Sequence, residues 1–393
     1  MSEWKEYKFS DFVQINPAVK LNSKEKISFV EMKDLSDGRR SCYPSMEREL
    51  SGGARFENND TLFARITPCL ENGKICQVKG LKNNVGFGST EFLVFRGKEN
   101  ISDNDFVFYL SRWDEVRNYA ESHFEGTSGR QRVSKDVFNN LFLQVPPFQQ
   151  QTSISNILSS LDDKIDLLHR QNKTLEQLAE TIFRQWFVIE MDESWKEKKL
   201  GELLTITSSK RIFYSEYVSS GIPFYRSKEI IELRNLGATD SELHISNERF
   251  DDINKKFGSP KEGDILMTSV GTLGVAYRVR KADKFYFKDG NLTWFKDFKE
   301  LASSIIYLWL ISKIGQEELA SVAIGSTQQA LTIEGLKSIS FKIPPQDKIK
   351  KYEQEFDTII KKMEFNQEQI LTLTTLRDTL LPKLMSGEVR VET

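Results

Sequence analysis

The chain of 393 residues is poor in cysteine and histidine, with three of each. An odd and sparse set of cysteines excludes the disulfide framework that holds many small secreted domains together. Cys69 and Cys76 are too far apart in sequence for the usual zinc-binding pair, so we expect no metal site. With His123, His169 and His244 as the only imidazoles, a histidine-based acid–base centre has few candidates.

Long hydrophobic runs are also missing. No window of 18 consecutive apolar residues occurs, which argues against a membrane-spanning helix. Residues 1–6 are charged and lack the apolar stretch of a signal peptide. These features predict a cytoplasmic protein.

The motifs of the common catalytic centres are absent as well. There is no phosphate-binding G-x-x-x-x-G-K-[ST] loop, no G-x-S-x-G turn and no H-E-x-x-H helix. An amino-methyltransferase would need an Asn or Asp before Pro-Pro and an aromatic residue, and neither Pro-Pro pair has one. We therefore expect that this chain is not an enzyme.

A surplus of basic charge, which is usual in nucleic-acid-binding proteins, is lacking too. The chain has 55 Lys and Arg against 57 Asp and Glu, a net charge of −2. Residues 148–194 hold four basic and eight acidic side chains, so the deficit lies mainly in that segment. DNA binding by the near-neutral remainder would need local basic loops or a partner protein.

What the chain does contain is an internal repeat. Four stretches return in the same order, at offsets between 191 and 204 residues: 4–12 as 195–203, 59–62 as 263–266, 126–134 as 325–332, and 142–147 as 340–345. One such coincidence means little, but four in order indicate a duplication. The halves then share one plan.

Each half ends in an apolar heptad pattern that begins after a Pro-Pro pair and predicts a long helix of about 33 residues, roughly 50 Å. Each seam has one asparagine near its middle, which would fix the register of a helix pair. A twofold repeat makes such a pair antiparallel. The predicted seam residues are Leu161, Ile165, Leu168, Asn172 and Leu175 in the first helix, and Phe356, Ile359, Met363, Asn366, Ile370 and Leu373 in the second.

Ahead of each helix the sequence indicates a mixed α/β module. Residues 90–95 and 285–287 are typical of strands, and residues 105–121 and 301–322 of helices. The fold class we predict is α+β, with two globular mixed α/β modules joined by two long helices packed as an antiparallel coiled coil. The predicted domains are 1–147, the helical region 148–188, 195–345, and the helical region 346–388.

Several stretches resemble the specificity subunits of type I restriction–modification enzymes, over essentially the whole chain. The most specific are LEQLAETIFRQWFV at 175–188 and LRDTLLPKLMSGE at 376–388. Residues 63–74, 88–92 and 126–134 resemble one type of target-recognition domain of that family. Residues 263–274 resemble a recurring recognition motif, in which the family often has Arg where this chain has Thr268 or Ser269.

The resemblance implies a subunit that supplies sequence recognition rather than chemistry. Each module would read one half of an asymmetric bipartite target in double-stranded DNA, and the helix pair would set the spacer and dock two modification subunits. S-adenosylmethionine, ATP and Mg would be bound by partner subunits and not by this chain. With restriction subunits, the complex would be an adenine-N6 DNA methyltransferase and ATP-dependent endonuclease.

We expect the DNA contacts among polar side chains in glycine-rich or repeat-matched loops, because Arg, Lys, Asn and Gln read bases and Ser and Thr bind bases and phosphates. In the first module these are Arg65, Thr67, Lys74, Ser89, Thr90, Arg130, Gln131 and Arg132. In the second they are Lys210, Arg211, Arg226, Ser227, Thr268, Ser269, Thr272, Lys288, Asn291, Ser326, Thr327, Gln328 and Gln329.

Three other functions stay open at this point. An orphan or decoy specificity subunit would bind DNA or modification subunits without productive assembly. A scaffold that uses the coiled coil to space two modules without binding DNA would fit the neutral charge, and salt-sensitive DNA binding would exclude it. The third alternative is an enzyme whose motif is unknown.

Overall fold

The computed structural model describes residues 4–22, 24–127, 129–325 and 329–391. The chain divides into two compact units. The first runs to Leu167 and includes the chain from Thr372 onward, and the second comprises Leu168–Leu371. Each unit therefore contains one globular module and a segment of both long helices.

The first module is built from short strands, because its apolar runs are brief and interrupted by Gly, Asn and Asp. Its helices are Phe9–Phe12 (α1), Asn104–Arg112 (α2) and Asp114–Ser122 (α3). Its strands are Lys5–Lys8 (β1), Val13–Ile15 (β2), Ile27–Val30 (β3), Ser41–Cys42 (β4), Met46–Arg48 (β5), Ala54–Glu57 (β6), Thr61–Ala64 (β7), Ile75–Val78 (β8), Val85–Gly88 (β9), Phe92–Gly97 (β10) and Phe142–Val145 (β11).

The long helix Phe148–Arg184 (α4) follows, and the second module begins after it. The strands of that module are Lys196–Lys199 (β12), Thr205–Thr207 (β13), Tyr217–Val218 (β14), Ile222–Tyr225 (β15), His244–Ile245 (β16), Ile265–Thr268 (β17), Ala276–Arg278 (β18), Tyr286–Phe287 (β19), Leu292–Lys296 (β20) and Ser340–Ile343 (β21). The helices are Leu200–Leu203 (α5), Ser227–Leu236 (α6), Asn247–Phe257 (α7), Ser303–Ile311 (α8), Lys313–Ser321 (α9), Ile333–Ser338 (α10) and the long Gln346–Met385 (α11).

The strand order of the two modules confirms the duplication. The central sheet has the order β2-β10-β7-β8-β4 in the first module and β13-β20-β17-β18 in the second. A second sheet of each module contains one parallel pair, β3 with β9 and β15 with β19. A separate antiparallel pair joins the start of each module to its end, β1 with β11 and β12 with β21. The predicted α+β class with a twofold repeat is therefore confirmed.

Each helical stretch expected within a module is two helices rather than one. The breaks fall at Trp113 (ψ 136°) and Ser312 (ψ 158°), whose extended backbone cannot continue an α-helix. Ser312 then starts α9, because its Oγ accepts a hydrogen bond from the Gly315 backbone N–H at 3.1 Å. At Gly315 a Cβ would collide with the carbonyl oxygen of Trp309, so the two helices meet closely at glycine.

The two long helices pair in antiparallel fashion in each unit. In the second unit Asn172 lies against Asn366, and the ring of Trp186 stacks on Tyr352 with centroids 3.9 Å apart. After Arg184 the first helix continues as a π-helical turn, Gln185–Ile189, which directs Phe187 into the core. The predicted helix pair is thus confirmed, and both helices begin directly after a Pro-Pro pair.

Each module is completed by the end of the helix that belongs to the other half of the repeat. Leu384 and Met385, from α11, lie in the core of the first module. Ala179 and Phe183, from α4, lie in the core of the second. The side chain of Gln150 also donates to the carbonyl oxygen of Val391 at 3.4 Å. The apolar seam of each helix therefore contributes to a module as well as to the helix pair.

A buried polar network joins the first module to its helix segments. The guanidinium of Arg377 (3% exposed) donates to Asp162 (2% exposed) and to the Gly38 carbonyl oxygen, both at 2.7 Å. The hydroxyl of Tyr109 donates to the other oxygen of Asp162 at 2.7 Å. Burial disfavours the charge of Arg377, but the attraction of Asp162 and Asp378 together outweighs it, so the pKa of Arg377 is raised.

The corresponding junction in the second unit is open. Arg278 pairs with Glu364 at 3.1 Å and Arg234 with Glu176 at 2.5 Å, and all four side chains are partly exposed. They line a cavity of about 310 Å³ between α6, β18 and the two long helices. Burial raises the pKa of Glu364, although Arg278 opposes this.

No helix in the described ranges is long and apolar enough to cross a membrane. Within the same ranges, no three or more His, Cys, Asp or Glu side chains are grouped so that they would hold a metal ion.

Candidate nucleic-acid interface

In each module, the loop after one central strand meets two other loops at the same end of the central sheet. The Arg65 N–H donates to the Glu91 carbonyl oxygen, and the Val133 N–H donates to that of Arg65, both at 2.9 Å. In the second module Ser269 takes the place of Arg65, with the same two bonds at 2.9 Å to Asn291 and from Leu331. We call residues 65–68, 89–91, 125–127 and 129–133 the first loop cluster, and residues 268–272, 288–291, 324–325 and 329–331 the second.

The hairpin-like loop of the first cluster is fixed by its neighbours. Arg132 forms antiparallel bridges with Ile66 and Glu125. The backbone N–H of Gln131 donates to Thr67 Oγ1 at 3.0 Å, and the Thr67 N–H donates to the Gln131 carbonyl oxygen at 3.0 Å. Thr67 is 7% exposed, so its side chain positions the loop and has little surface to offer DNA.

Arg132 also holds this loop. Its Nε and Nη2 donate to the carboxylate of Glu91 at 2.7–2.9 Å, and Nη1 donates to the Arg130 carbonyl oxygen at 2.9 Å. The hydrogen bonds to Glu91 raise the pKa of Arg132. The pair with Glu91 neutralises the charge of Arg132 and occupies its guanidinium donors, so little of Arg132 is left to bind DNA. Its bond to the Arg130 carbonyl oxygen fixes the backbone at Arg130, whose own side chain is exposed.

Arg65 is placed differently. It lines a groove of about 460 Å³ together with Arg55, Thr90 and the turn at Asn16, and the groove contains no Asp or Glu. The Nε of Arg65 is buried without a hydrogen-bond partner, and among the described residues no carboxylate pairs with either arginine. A groove with two unneutralised guanidinium groups attracts anions, so Arg55, Arg65, Thr90 and Arg130 form the basic face of the first module.

The remaining predicted residues of the first module have structural contacts. Lys74 donates through Nζ to the Met32 carbonyl oxygen at 2.8 Å. Ser89 accepts through Oγ from the Glu91 N–H at 3.1 Å, within the first loop cluster. Their DNA contacts stay predictions.

In the second loop cluster, two of the predicted residues are buried. Thr268 is 0% exposed and accepts through Oγ1 from the Val275 N–H at 3.0 Å. Ser269 is 3% exposed and shares a hydrogen bond of 2.5 Å with the hydroxyl of Thr293. These hydroxyls shape the turn rather than present a surface, whereas Thr272 at its tip is exposed.

The other predicted residues of the second module lie around this cluster. Arg211 pairs with Asp289 at 2.9 Å, and Arg226 pairs with Glu229 at 2.7 Å, so both charges are neutralised. The hydrogen bond to Glu229 raises the pKa of Arg226. Lys210, Lys288 and Gln329 are exposed, whereas Ser227 and Asn291 are half-buried. Ser326, Thr327 and Gln328 lie outside the described residues.

The predicted seam residues lie on the two long helices. Asn366 (0% exposed) donates through Nδ2 to Asn172 Oδ1 at 2.8 Å, and Asn172 donates to the Met363 carbonyl oxygen at 3.2 Å. The structure therefore brings the two asparagines together. The buried seam residues are Ile165, Leu168, Phe356, Ile359, Met363 and Ile370, and the half-buried ones are Leu161, Leu175 and Leu373.

Sequence reasoning missed Arg55. Arg55 lies on β6, which is outside the four repeated stretches. Because candidate DNA contacts were predicted mainly in repeated or glycine-rich loops, this strand residue was not among them. The glycines at 52 and 53 just before it were an available sign of a turn that opens onto a surface.

The comparison with known proteins agrees with this architecture. The type I restriction modification DNA specificity domain matches twice, at residues 1–177 and 192–375. The type I restriction enzyme HindI specificity subunit of Haemophilus influenzae is 23% identical over 99% of this chain and 100% of its own length. The MjaIX specificity subunit of Methanocaldococcus jannaschii is 24% identical over 74% of this chain and 70% of its own length.

A solved structure shows the same fold. The crystal structure of the type I restriction–modification S subunit from M. genitalium superposes with a TM-score of 0.54 at 16% identity, and covers 97% of this chain and 96% of that one. The prediction of a DNA sequence-specificity subunit is confirmed, and the chain belongs to the type I restriction modification DNA specificity domain family, of which it carries two copies.

Proposed function

We propose that this chain directs a type I restriction–modification complex to an asymmetric bipartite DNA target, with one half read by each module. The observation that carries this is the pair of loop clusters. They share backbone contacts, but Ser269 stands where the first module has Arg65, and Asn291 where it has Glu91. Two readers with one frame and different side chains recognise different sequences.

The basic face of the first module supports contact with the DNA backbone. Arg55 and Arg65 line a groove without carboxylates, and Arg130 extends from the adjacent loop. Phosphate oxygens accept hydrogen bonds from such unpaired guanidinium groups, and each contact releases counterions. A local basic surface of this kind can bind DNA even though the whole chain has a net charge of −2.

The helix pair fits a second role, in docking two modification subunits and setting the spacer between the half-sites. Large apolar side chains point to solvent from both helices: Ile157 and Leu178 from α4, and Phe365 and Leu376 from α11, each between 38% and 51% exposed. Exposed apolar side chains on an otherwise charged helix pair are typical of a protein-binding face.

In this assembly the chain is not an enzyme. The modification subunits would bind S-adenosylmethionine and methylate N6 of adenine, and restriction subunits would use ATP and Mg for translocation and cleavage. The complex would act in the cytoplasm, where we expect its DNA target to be reached.

The test is methylation-sensitive single-molecule sequencing of DNA from cells with and without this chain. We expect N6-methyladenine at one split, asymmetric motif to disappear on deletion and to return on complementation. An unchanged methylome in cells that express active modification subunits would contradict the proposal.

Docking is tested separately with Leu178→Asp plus Phe365→Asp. The variant should lose co-purification with the modification subunits and keep its circular dichroism spectrum, because the new charges lie on solvent-facing positions. Glu368→Asp, an exposed and charge-conserving change on α11, is the control. Unchanged co-purification of the double variant would place the docking face elsewhere.

A further inference from the structure

Two adjacent aromatic rings project from the second module. Phe213 is 62% exposed and Tyr214 is 89% exposed, whereas their neighbour Ile212 is 7% exposed and lies in a core cluster with Phe224 and Tyr286. Leaving two large rings in water forgoes the free energy that burial would give them. Val218, 38% exposed, adds to the apolar surface nearby. Such a patch is typical of a binding surface.

The rings are held on a rigid turn. The Phe213 N–H donates to Glu216 Oε2 at 2.8 Å, and the Glu216 N–H donates back to the Phe213 carbonyl oxygen at 2.9 Å. Arg249 Nε lies 2.6 Å from the other carboxylate oxygen of Glu216. The ring of Tyr214 also packs edge-on to Tyr217, with centroids 6.1 Å apart. Rings presented on a fixed turn lose little conformational entropy when they bind.

This turn is continuous with the second loop cluster. Arg211 pairs with Asp289, and the Gly290 N–H donates to Ser208 Oγ at 3.3 Å. The Lys210 N–H donates to the hydroxyl of Tyr286 at 2.8 Å, and Tyr286 is the first residue of β19, which ends directly before Lys288. The rings therefore lie beside the residues of this module that were predicted to contact DNA.

The charges around the rings favour nucleic acid over an apolar protein face. Lys210 and Lys288 are exposed, and in the described part of the chain neither pairs with a carboxylate. Arg211 keeps 69% of its side chain exposed although it pairs with Asp289. Proteins that kink DNA combine such basic flanks with apolar wedges, which enter between base steps while the cations contact phosphates.

We propose that Phe213 and Tyr214 form an aromatic wedge that unstacks a base step in the half-site read by the second module, with Lys210 and Lys288 on the flanking phosphates. The inference rests on the proposed function and adds a means of recognition to it. A wedge makes specificity depend on how easily a step opens, at positions where no hydrogen bond reads the base.

The experiment uses the chain assembled with its modification subunits and DNA of the target sequence. 2-Aminopurine is placed at one position of the half-site at a time, avoiding the methylated adenine. We expect binding to raise the fluorescence at the opened step. Phe213→Ala plus Tyr214→Ala should abolish this rise and weaken binding about tenfold, since base–aromatic stacking contributes on that order.

Two further variants serve as controls. Phe213→Tyr plus Tyr214→Phe keeps both rings and should retain the fluorescence rise and the affinity. Tyr43→Ala removes a tyrosine of the first module that is 58% exposed, and should leave both unchanged.

Three results would overturn the wedge. The first is a double alanine variant that retains the fluorescence rise and the affinity. The second is loss of the modification subunits from that variant on size-exclusion chromatography, which would assign the rings to a protein contact. The third is a wild-type assembly without sequence-specific binding, which would refute the proposed function itself and the wedge with it.

Discussion

The two modules share a backbone plan and differ in what they attach to it. At the matched turn the first module has Arg65 in a groove without acids, and the second has Ser269 buried against Thr293. The second module instead places exposed aromatic rings and lysines next to its loop cluster. After duplication the hydrogen bonds that form the frame were kept, whereas the surface side chains diverged. Recognition can therefore change without refolding.

The junctions with the long helices differ in the same way. In the first unit Arg377 and Asp162 are buried, with Tyr109 and a backbone carbonyl as further partners. In the second unit Arg278 and Glu364 face a water-accessible cavity. Ion pairs of one chemical type thus have different energetic weight in the two halves.

The largest expected effect tests that difference. Arg377→Ala leaves Asp162 buried without its cation, and should lower the opening free energy of the first unit by roughly 3–5 kcal/mol. Arg278→Ala should lower that of the second unit by about 1 kcal/mol or less, because its pair is partly solvated. Hydrogen exchange with mass spectrometry resolves the two units. If the two substitutions lowered the opening free energies of their units equally, the buried and the solvated ion pair would not differ in energetic weight.

A somewhat smaller effect is expected at the basic face. Arg55→Ala plus Arg65→Ala should weaken DNA binding by roughly thirtyfold, about 2 kcal/mol. The slope of the logarithm of the association constant against the logarithm of the salt concentration should also become shallower, by the contribution of about two phosphate contacts. Fluorescence anisotropy across a salt series measures both. Arg48→Ala removes an arginine that pairs with Glu31, and is the control expected to change neither. An unchanged salt slope in the double variant would remove the groove from the interface.

The asparagine pair should have an effect of about 1 kcal/mol. Asn172→Leu plus Asn366→Leu replaces a polar contact in an apolar seam, so the free energy of unfolding should rise while control of register is lost. Asn366→Leu alone removes the donor to the amide oxygen of Asn172 and should lower the free energy of unfolding, because that oxygen then lies in the seam without this hydrogen bond. Denaturant titration compares the three chains. A single variant that is as stable as the double one would contradict this role.

The smallest effect compares one side chain from each of the two repeat-matched loops, in which Gln329 matches Gln131 and Arg130 precedes that position. Arg130→Ala should make the salt slope of DNA binding shallower by the contribution of about one phosphate contact, because it removes a cation. Gln329→Ala should weaken binding without changing the salt slope, because its side chain is neutral. Anisotropy titrations at several salt concentrations separate the two. An altered slope for Gln329→Ala would show that the loop as a whole moves.

Much of this architecture could be predicted from the sequence because it depends on local patterns. The heptads that follow each Pro-Pro pair specify α4 and α11, and the repeat specifies which faces meet. The breaks at Trp113 and Ser312 were not predicted, since one extended residue leaves the surrounding helical periodicity intact. The candidate DNA contacts were harder to select, because polarity alone did not reveal that Thr268 is buried or that the Arg132 guanidinium pairs with Glu91.

The packing of Leu384 and Met385 in the first module has a consequence for synthesis on the ribosome. The core of the second module draws on residues from Ala179 to Met363, so it has all its members as soon as that contiguous stretch emerges. The first module is translated earlier, but its core cannot be completed until α11 has been synthesised, because two of its core residues come from that helix. A nonsense mutation or proteolytic cut shortly before Leu384 would therefore damage the half of the protein that was made first.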